Sequence, residues 1–408
     1  MNKLCTDIQV NLLFKYYLDD IDALNLIKTC KLQYDTIKLY RYKNAVNYEH
    51  LNNYKNCILT KISNVTDVNK LANIFRNITH LTLSYDFNQP VDYLPNFLTH
   101  LTFGHQFDQP VDNLPQFITH LSFGYQFNCP VNHLPNCITH LTFDFIFNQS
   151  VNNLPKSITH LTFGASFNHS VNNLPNSITH LEFGIYFNQA VDHLPNSITH
   201  LTFVGEFDQP LDHLPHSITH LIICDNYNFN QRVNNLPNSI THLTLGRHFN
   251  QPVDNLPNSI THLNVGDNFN KPVDHLPKSI THLTFGASFK QQIDHLPNSI
   301  VQLTLGYLFN QPVDNLPNSL TYLQFGFCFN QPVNNLPSLL AQLEFGQCFN
   351  RFVNNLPNSL THLQFGKCFN RPVDNLPNFL THLQFGEDFN RSTSRLPKSI
   401  THLTLEHD

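Results

Sequence analysis

The chain has 408 residues, with 23 Lys and Arg against 29 Asp and Glu, a net charge of −6 and only 13% charged residues. No basic stripe stands out, which argues against a nucleic-acid partner, and no run approaches the roughly 18 apolar residues of a membrane span. Trp is absent and Met occurs once, whereas Phe occurs 35 times and Pro 25 times; one large residue used that often points to one packing problem solved repeatedly.

In chain order, the first 30 residues carry Lys3, Asp7, Lys15, Asp19, Asp20 and Asp22, which leaves no apolar core for a signal peptide. Nine cysteines scattered along the chain make no disulfide framework. The expected compartment is therefore intracellular and reducing, a cytoplasm. The stretch "IQVNLLFKYYLDDIDALNLIKTCKLQY" (8–34) has helical spacing in Ile8, Leu12, Leu13, Tyr16 and Tyr17, and again in Leu24, Ile27 and Cys30. Asp19 and Asp20 interrupt the pattern between two helices, where Asp can cap the second.

This small all-α segment, residues 1–50, resembles an F-box through Tyr17-Leu18-Asp19, Asp22-Ala23-Leu24 and Thr29-Cys30-Lys31 followed by Tyr34. The family's opening Leu-Pro is replaced by Thr6-Asp7. The resemblance implies docking to the adaptor subunit of a cullin-type ubiquitin ligase through Leu13, Tyr17, Leu18, Leu24, Ile27 and Cys30. The other reading of the segment is a plain helical cap, since a first coil without one exposes its core. Residues 51–73 read as a linker and degenerate capping coil.

From residue 74 the chain keeps time. Leu-Pro recurs from Leu94-Pro95 to Leu396-Pro397 in steps of 20 residues, apart from one step of 22 across "CDNYNFNQR" (224–232). An earlier unit, "IFRNITHLTL" (74–83), keeps the pattern with Phe75 in place of Pro, and the total is about 17 units. In the coil from Leu194 the apolar positions are Leu194, Ile198, Leu201, Phe203, Phe207 and Leu211. Thr199 to Phe203 alternates outward and inward as a short strand does. Pro195 and Pro210 flank it, so neither side continues as a helix. Each coil is expected to be a strand, a turn and an extended or 3₁₀ return. Stacked coils bury what one coil cannot, in a leucine-rich-repeat-like solenoid with one parallel sheet. Phe207 and its equivalents are expected to stack as a spine. The Asn after that Phe (Asn188, Asn250, Asn270) is expected to form a buried ladder that satisfies turn backbone groups, with an irregular rung at Lys290.

The unit "FNQPVDNLPNSITHLTFG" and its variants resemble the FNIP repeat, a relative of leucine-rich repeats abundant in amoebae and in the large DNA viruses that infect them. An F-box ahead of FNIP repeats is an arrangement of the viral proteins, whose setting is the host cytoplasm. The resemblance implies a non-catalytic solenoid for protein interaction. With the N-terminal segment it implies a substrate-recognition subunit of a cullin-type ligase with an unidentified target; a plain interaction scaffold is the alternative.

Four groups of residues are candidate sites. His80 recurs at the same position in most coils, with Gln302, Tyr322 and Gln342 as exceptions. Its outward direction and single-file spacing do not suit the tetrahedral ligand set of zinc, so it reads as scaffold, and no metal or other cofactor is expected. A second file, His133, His193, His213, His275 and His295, alternates with Asn as a polar turn residue. Cys328, Cys348 and Cys368 share one position in successive coils, near enough to cross-link, yet read as coincident small residues. The positions that vary against the constant scaffold are the two residues between the strand-end Gly and Phe. They include Tyr125, Gln126, Phe145, Ile146, Ile185, Tyr186, Arg247, His248, Tyr307, Phe327 and Lys367. These are the expected partner-binding residues, because several are large apolar groups near the surface.

Overall fold

The computed structural model describes residues 46–47, 61–67, 78–224 and 228–406. The F-box-like segment, with Leu13, Tyr17, Leu18, Leu24, Ile27 and Cys30, lies outside the described residues. Within the span read as helical, Val46–Asn47 is instead a strand (β1) that pairs in parallel with the next one, β2 (Lys61–Val65). Among the described residues there is no helix of any kind, so the return of each coil is made of turns and extended chain rather than 3₁₀ helix.

The chain divides into two compact units, 1–167 and 168–408. In the first, β2 is followed by β3 (His80–Leu83), β4 (His100–Thr102), β5 (His120–Ser122), β6 (His140–Thr142) and β7 (His160–Thr162). From β2 to β7 each strand pairs in parallel with the next, Leu81 opposite Leu101 and Leu101 opposite Leu121. The second unit holds one strand per coil from β8 (His180–Phe183) to β19 (His402–Leu405). It pairs in the same way, Leu201 opposite Leu221 and Leu383 opposite Leu403. A repeat of 20 residues with no register shift puts every side chain beside its own equivalent. The two extra residues before Phe229 do not disturb this: His220 still faces His242 and Leu221 faces Leu243.

The expected inward set is buried. In the coil from Leu194, all six apolar residues named above are at most 6% exposed. Each unit has a Phe spine, with Phe107–Phe127 and Phe127–Phe147 centroids 6.0 Å apart in the first and Phe207–Phe229 at 6.2 Å in the second. The strand Phe stacks on the spine Phe of its own coil at 3.7–3.8 Å in Phe143–Phe147 and Phe203–Phe207. Two aromatic files packed face to face explain the heavy use of one residue.

After the strand, Phe127 N–H donates to the Gly124 carbonyl at 3.2 Å, and Phe249 N–H to that of Gly246 at 3.1 Å. The segment Gly-x-x-Phe is therefore a β-turn whose tip is the variable pair. A Cβ on Gly124 would meet the Gly104 carbonyl oxygen at 2.1 Å, which is why most coils carry Gly there. Coils with Val204 and Cys224 at that place extend the strand to five residues instead. Gly205 then takes the tip with φ of 94°, a conformation open to glycine.

The Asn ladder exists but is a surface feature, not a buried one. Asn128 N–H donates to Asp108 Oδ1 and Asn148 N–H to Asn128 Oδ1, both at 2.9 Å, in exposed positions. The side chains can stay outside because each accepts from the backbone N–H of the next coil along the stack. Lys290 N–H still donates to Asn270 Oδ1 at 3.0 Å. The irregularity falls one coil later, where Lys290 has no side-chain acceptor and Gln311 Nε2 donates to its carbonyl at 2.8 Å. In the last coil Leu403 and Leu405 are 45% and 40% exposed.

Candidate interaction surfaces

The outward face of each sheet begins with the histidine file. In the first unit His80, His100, His120, His140 and His160 stack at 4.0–4.2 Å with planes within 11°. In the second unit, His200 and His220 stack at 4.2 Å. Rings this close and parallel aim their nitrogens side by side rather than at one point. Among the described residues, no group of three or more His, Cys, Asp or Glu is arranged to hold a metal ion.

The preceding threonine sets the tautomer. Thr119 Oγ1 has one proton and donates it to the Thr99 carbonyl at 3.1 Å. Its 2.9 Å bond to His120 Nδ1 therefore has the ring as donor. The same pair of bonds occurs at Thr99 with His100 and at Thr139 with His140. These rings carry hydrogen on Nδ1, and the Nε2 lone pair is the acceptor. Partial burial, then His100 and the more distant His160, lowers the pKa of His120 below the usual imidazole value. His140 is lowered by burial and by His120 and His160, and His220 by burial and the rings on both sides.

The file one turn later, before Leu-Pro, treats His and Asn alike. Asn113 Nδ2 donates to Asp92 Oδ1 at 3.0 Å, and His133 Nδ1 to Asp112 Oδ1 at 3.1 Å. In the second unit the sheet face turns more polar near its end. Tyr322 Oη and Gln324 Nε2 both donate to the Glu344 carboxylate; burial and that carboxylate push the Tyr322 hydroxyl up to about 12. Cys328, Cys348 and Cys368 are free and half-buried. Burial, then its two neighbours, raises the Cys348 thiol, which keeps it protonated and poorly nucleophilic.

The variable pairs occupy the turn tips, and backbone bonds tie tip to tip: Gln126 N–H donates to the His105 carbonyl at 2.9 Å, and Ile146 N–H to that of Tyr125 at 3.0 Å. In the first unit this brings Tyr85, His105, Tyr125 and Phe145 into one stacked ladder with spacings of 4.4, 4.6 and 4.7 Å. Gln126 and Ile146 sit half-buried beside it. In the second unit Ile185 and Tyr186 are 39% and 46% exposed, and Tyr307 and Phe327, 49% and 40% exposed, stack at 4.6 Å. Arg247 pairs with Asp267 at 3.1 Å and Lys367 with Glu387, while His248 is exposed. The tip file thus divides into an aromatic stretch in the first unit and apolar and ion-paired stretches in the second.

A further set of exposed apolar side chains was legible only as departures from the repeat. Ser at the fourth position of Leu-Pro-Asn-Ser donates to the previous coil, as Ser197 Oγ does to the Ile178 carbonyl at 2.6 Å. Phe97, Phe117, Leu339 and Phe379 take that place and stand exposed.

The sequence profile of the FNIP Repeat matches twelve stretches between residues 76 and 408, from 76–106 to 369–408. A comparison with curated proteins gives no match. Among solved structures, CroV588, described as a novel circular LRR protein structure, is 44% identical at a TM-score of 0.78 over 85% of this chain. The match takes in 59% of that protein, so the chain spans under two thirds of its length. YopM from Yersinia enterocolitica WA-314 is 18% identical over 78% of this chain and 89% of that one, with a TM-score of 0.44. The functional domain of InlJ from Listeria monocytogenes, which includes a cysteine ladder, is 13% identical over 80% and 66%, also at 0.44.

Proposed function

Because the chain belongs to the FNIP repeat family, we propose that it is a protein-recognition solenoid whose turn tips hold a target protein. The contact residues are Tyr125, Gln126, Phe145, Ile146, Ile185, Tyr186, Arg247, His248, Tyr307, Phe327 and Lys367. The observation that carries this reading is the position of the variable pair. Both residues sit at a turn tip where side chains can change without disturbing the coil, and several tips hold large exposed apolar groups, a mark of interaction surfaces.

The F-box-like segment gives the reading its finer form. Leu13, Tyr17, Leu18, Leu24, Ile27 and Cys30 dock the adaptor of a cullin-type ubiquitin ligase in the cytoplasm, and the solenoid presents the target. The chain does no chemistry itself; it raises the local concentration of the target beside the ligase. No helix among the described residues is long and apolar enough to cross a membrane.

Two measurements test the two halves. Purified chain should retain recombinant adaptor and cullin, and Leu18→Ala with Leu24→Ala should abolish that retention. No retention by the unaltered chain leaves a plain interaction scaffold. Photo-crosslinkers placed at Tyr125, Tyr186 and Tyr307 should capture the target in cells, while one at Asn196 in the return turn should not. The opposite pattern overturns the tip assignment.

A further inference from the structure

One file of side chains in the second unit carries charge that the coil does not need. The residue two places after the spine Phe is Gln in most coils. Its amide donates back to the preceding coil, as Gln311 Nε2 does to the Lys290 carbonyl at 2.8 Å and Gln331 Nε2 to that of Asn310 at 3.2 Å. In three successive coils Arg351, Arg371 and Arg391 stand there instead. Each Nε makes the same kind of bond, to the carbonyls of Asn330, Asn350 and Asn370 at 2.8, 3.0 and 3.1 Å. The backbone bond that glutamine supplies is therefore kept, and the Nη groups beyond it are surplus to the fold.

Like anchoring in coils stacked about 4.8 Å apart puts the three guanidiniums in single file. Arg351 and Arg391 are exposed and Arg371 is half-buried. Arg371 is held further by the exposed ring of Phe352, its Cζ 5.2 Å from the centroid. Like charges in file repel, yet among the described residues no carboxylate pairs with any of the three. Of the acidic residues nearest in sequence, Asp374 lies 4.0 Å from Arg395 and Glu387 pairs with Lys367. Asp388 is exposed at the turn tip before Arg391.

The unused donors select the ligand. With Nε committed, each guanidinium offers its two Nη groups. A carboxylate has one charge and two oxygens in a plane, and a single guanidinium satisfies it. A phosphate monoester carries about −1.5 to −2 charge near neutral pH and three strong acceptor oxygens, enough to bridge two adjacent rungs and neutralise both. A file of three in a chain of net charge −6 is short for a nucleic-acid backbone, whose affinity comes from many such contacts. We propose that Arg351, Arg371 and Arg391 form a phosphate-binding site, in which a phosphate group, free or as a monoester on a partner, sits between Arg371 and either neighbour. The site rests neither on the reading of the turn tips nor on the F-box-like segment.

Isothermal titration of the full chain in a phosphate-free buffer tests it, with phosphorus-31 shifts as a second readout. The probes are inorganic phosphate, a capped Gly-Gly-phosphoserine-Gly-Gly peptide, the same peptide with plain serine, and acetate. The two phosphate probes should bind, and acetate and the plain peptide should not. Tighter binding of the phosphopeptide than of inorganic phosphate assigns the site to a partner-borne monoester, and the reverse order assigns it to a free anion. Arg371→Gln leaves no adjacent pair and should weaken binding about tenfold, the worth of a charge-assisted bond. Arg351→Gln or Arg391→Gln leaves one pair and should weaken it less. The unfolding midpoint should hold in all three, because glutamine fills this place in other coils. Absence of phosphate binding, equal affinity for acetate, or an Arg371→Gln loss no larger than that of the end variants would overturn the proposal.

Discussion

His120 lies face to face with His100, ring centroids 4.1 Å apart and planes within 9°. Each ring is pinned by its own threonine. Two imidazolium rings at that distance repel, so the stack favours neutral rings. His80, His100, His120 and His140 all titrate below their ordinary value, burial being the first cause and neighbouring charges the second. The unfolded chain therefore binds more protons around the ordinary imidazole value of about 6.5, and stability is lost as pH falls through that value. The loss levels off once the folded rings charge as well. The thermal midpoint should drop between about pH 7.5 and 5.5, above most carboxylate titration. Replacing His120 and His140 with Gln, which the chain itself uses at Gln302 and Gln342, should flatten the curve. A midpoint insensitive to pH across that range would refute the account.

Thr119→Val removes the acceptor of His120 Nδ1–H and the donor to the Thr99 carbonyl. Each neutral bond is worth about 1 kcal/mol, so a loss of about 1–2 kcal/mol is expected. In the unaltered chain, nitrogen-15 spectra of labelled histidine should show Nε2 without hydrogen for the ladder rings. In the variant His120 should move toward the other tautomer. Ladder rings with hydrogen on Nε2 in the parent would disprove the assignment.

Phe145 and Phe147 differ by two positions and by everything that matters to stability. Phe147 is fully buried and stacks on Phe127, Phe143 and Phe167. Truncation to Ala should cost about 3–5 kcal/mol. Phe145→Ala, at a turn tip, should cost less than about 1 kcal/mol. Urea unfolding of the two variants separates core from display, and similar losses would show that the tip ladder is structural.

Gly306 has one of the tightest fits in its file: an added Cβ would lie 1.8 Å from the Gly286 carbonyl oxygen. Gly306→Ala must push the two coils apart, and a cost of about 1–3 kcal/mol follows, as for overpacking. Denaturant midpoints measure it; an unchanged midpoint would mean that the turn can shift freely.

Lys290→Asn should stabilise. It restores the side-chain acceptor that coils on either side possess, as when Asn330 N–H donates to Asn310 Oδ1 at 2.9 Å. The gain should be about 0.5–1.5 kcal/mol, readable as a higher melting temperature. No gain would mean that solvent already serves the next coil's backbone.

These predictions draw on two kinds of legibility. Local periodicity alone marked Leu201, Phe203 and Phe207 as inward, His200 as outward and the turn between Gly and Phe as the variable place. The Asn file was also legible, but its depth was misjudged, because Asn188 and Asn250 bond along the stack from the surface rather than from within. The F-box-like residues from Leu13 to Cys30 rest on sequence resemblance alone.

What the amino-acid order determined by itself is the coil, because a 20-residue apolar pattern interrupted by prolines has one way to bury its Leu, Ile and Phe. What only the tertiary structure decided is which coils cooperate. Tyr85, His105, Tyr125 and Phe145 are separated by 20 residues each and carry no joint signal in the sequence. They become one surface because turn-tip backbone bonds hold successive coils in register. The proton on His120 Nδ1 is settled the same way, by a threonine whose own hydrogen is committed to the coil before it.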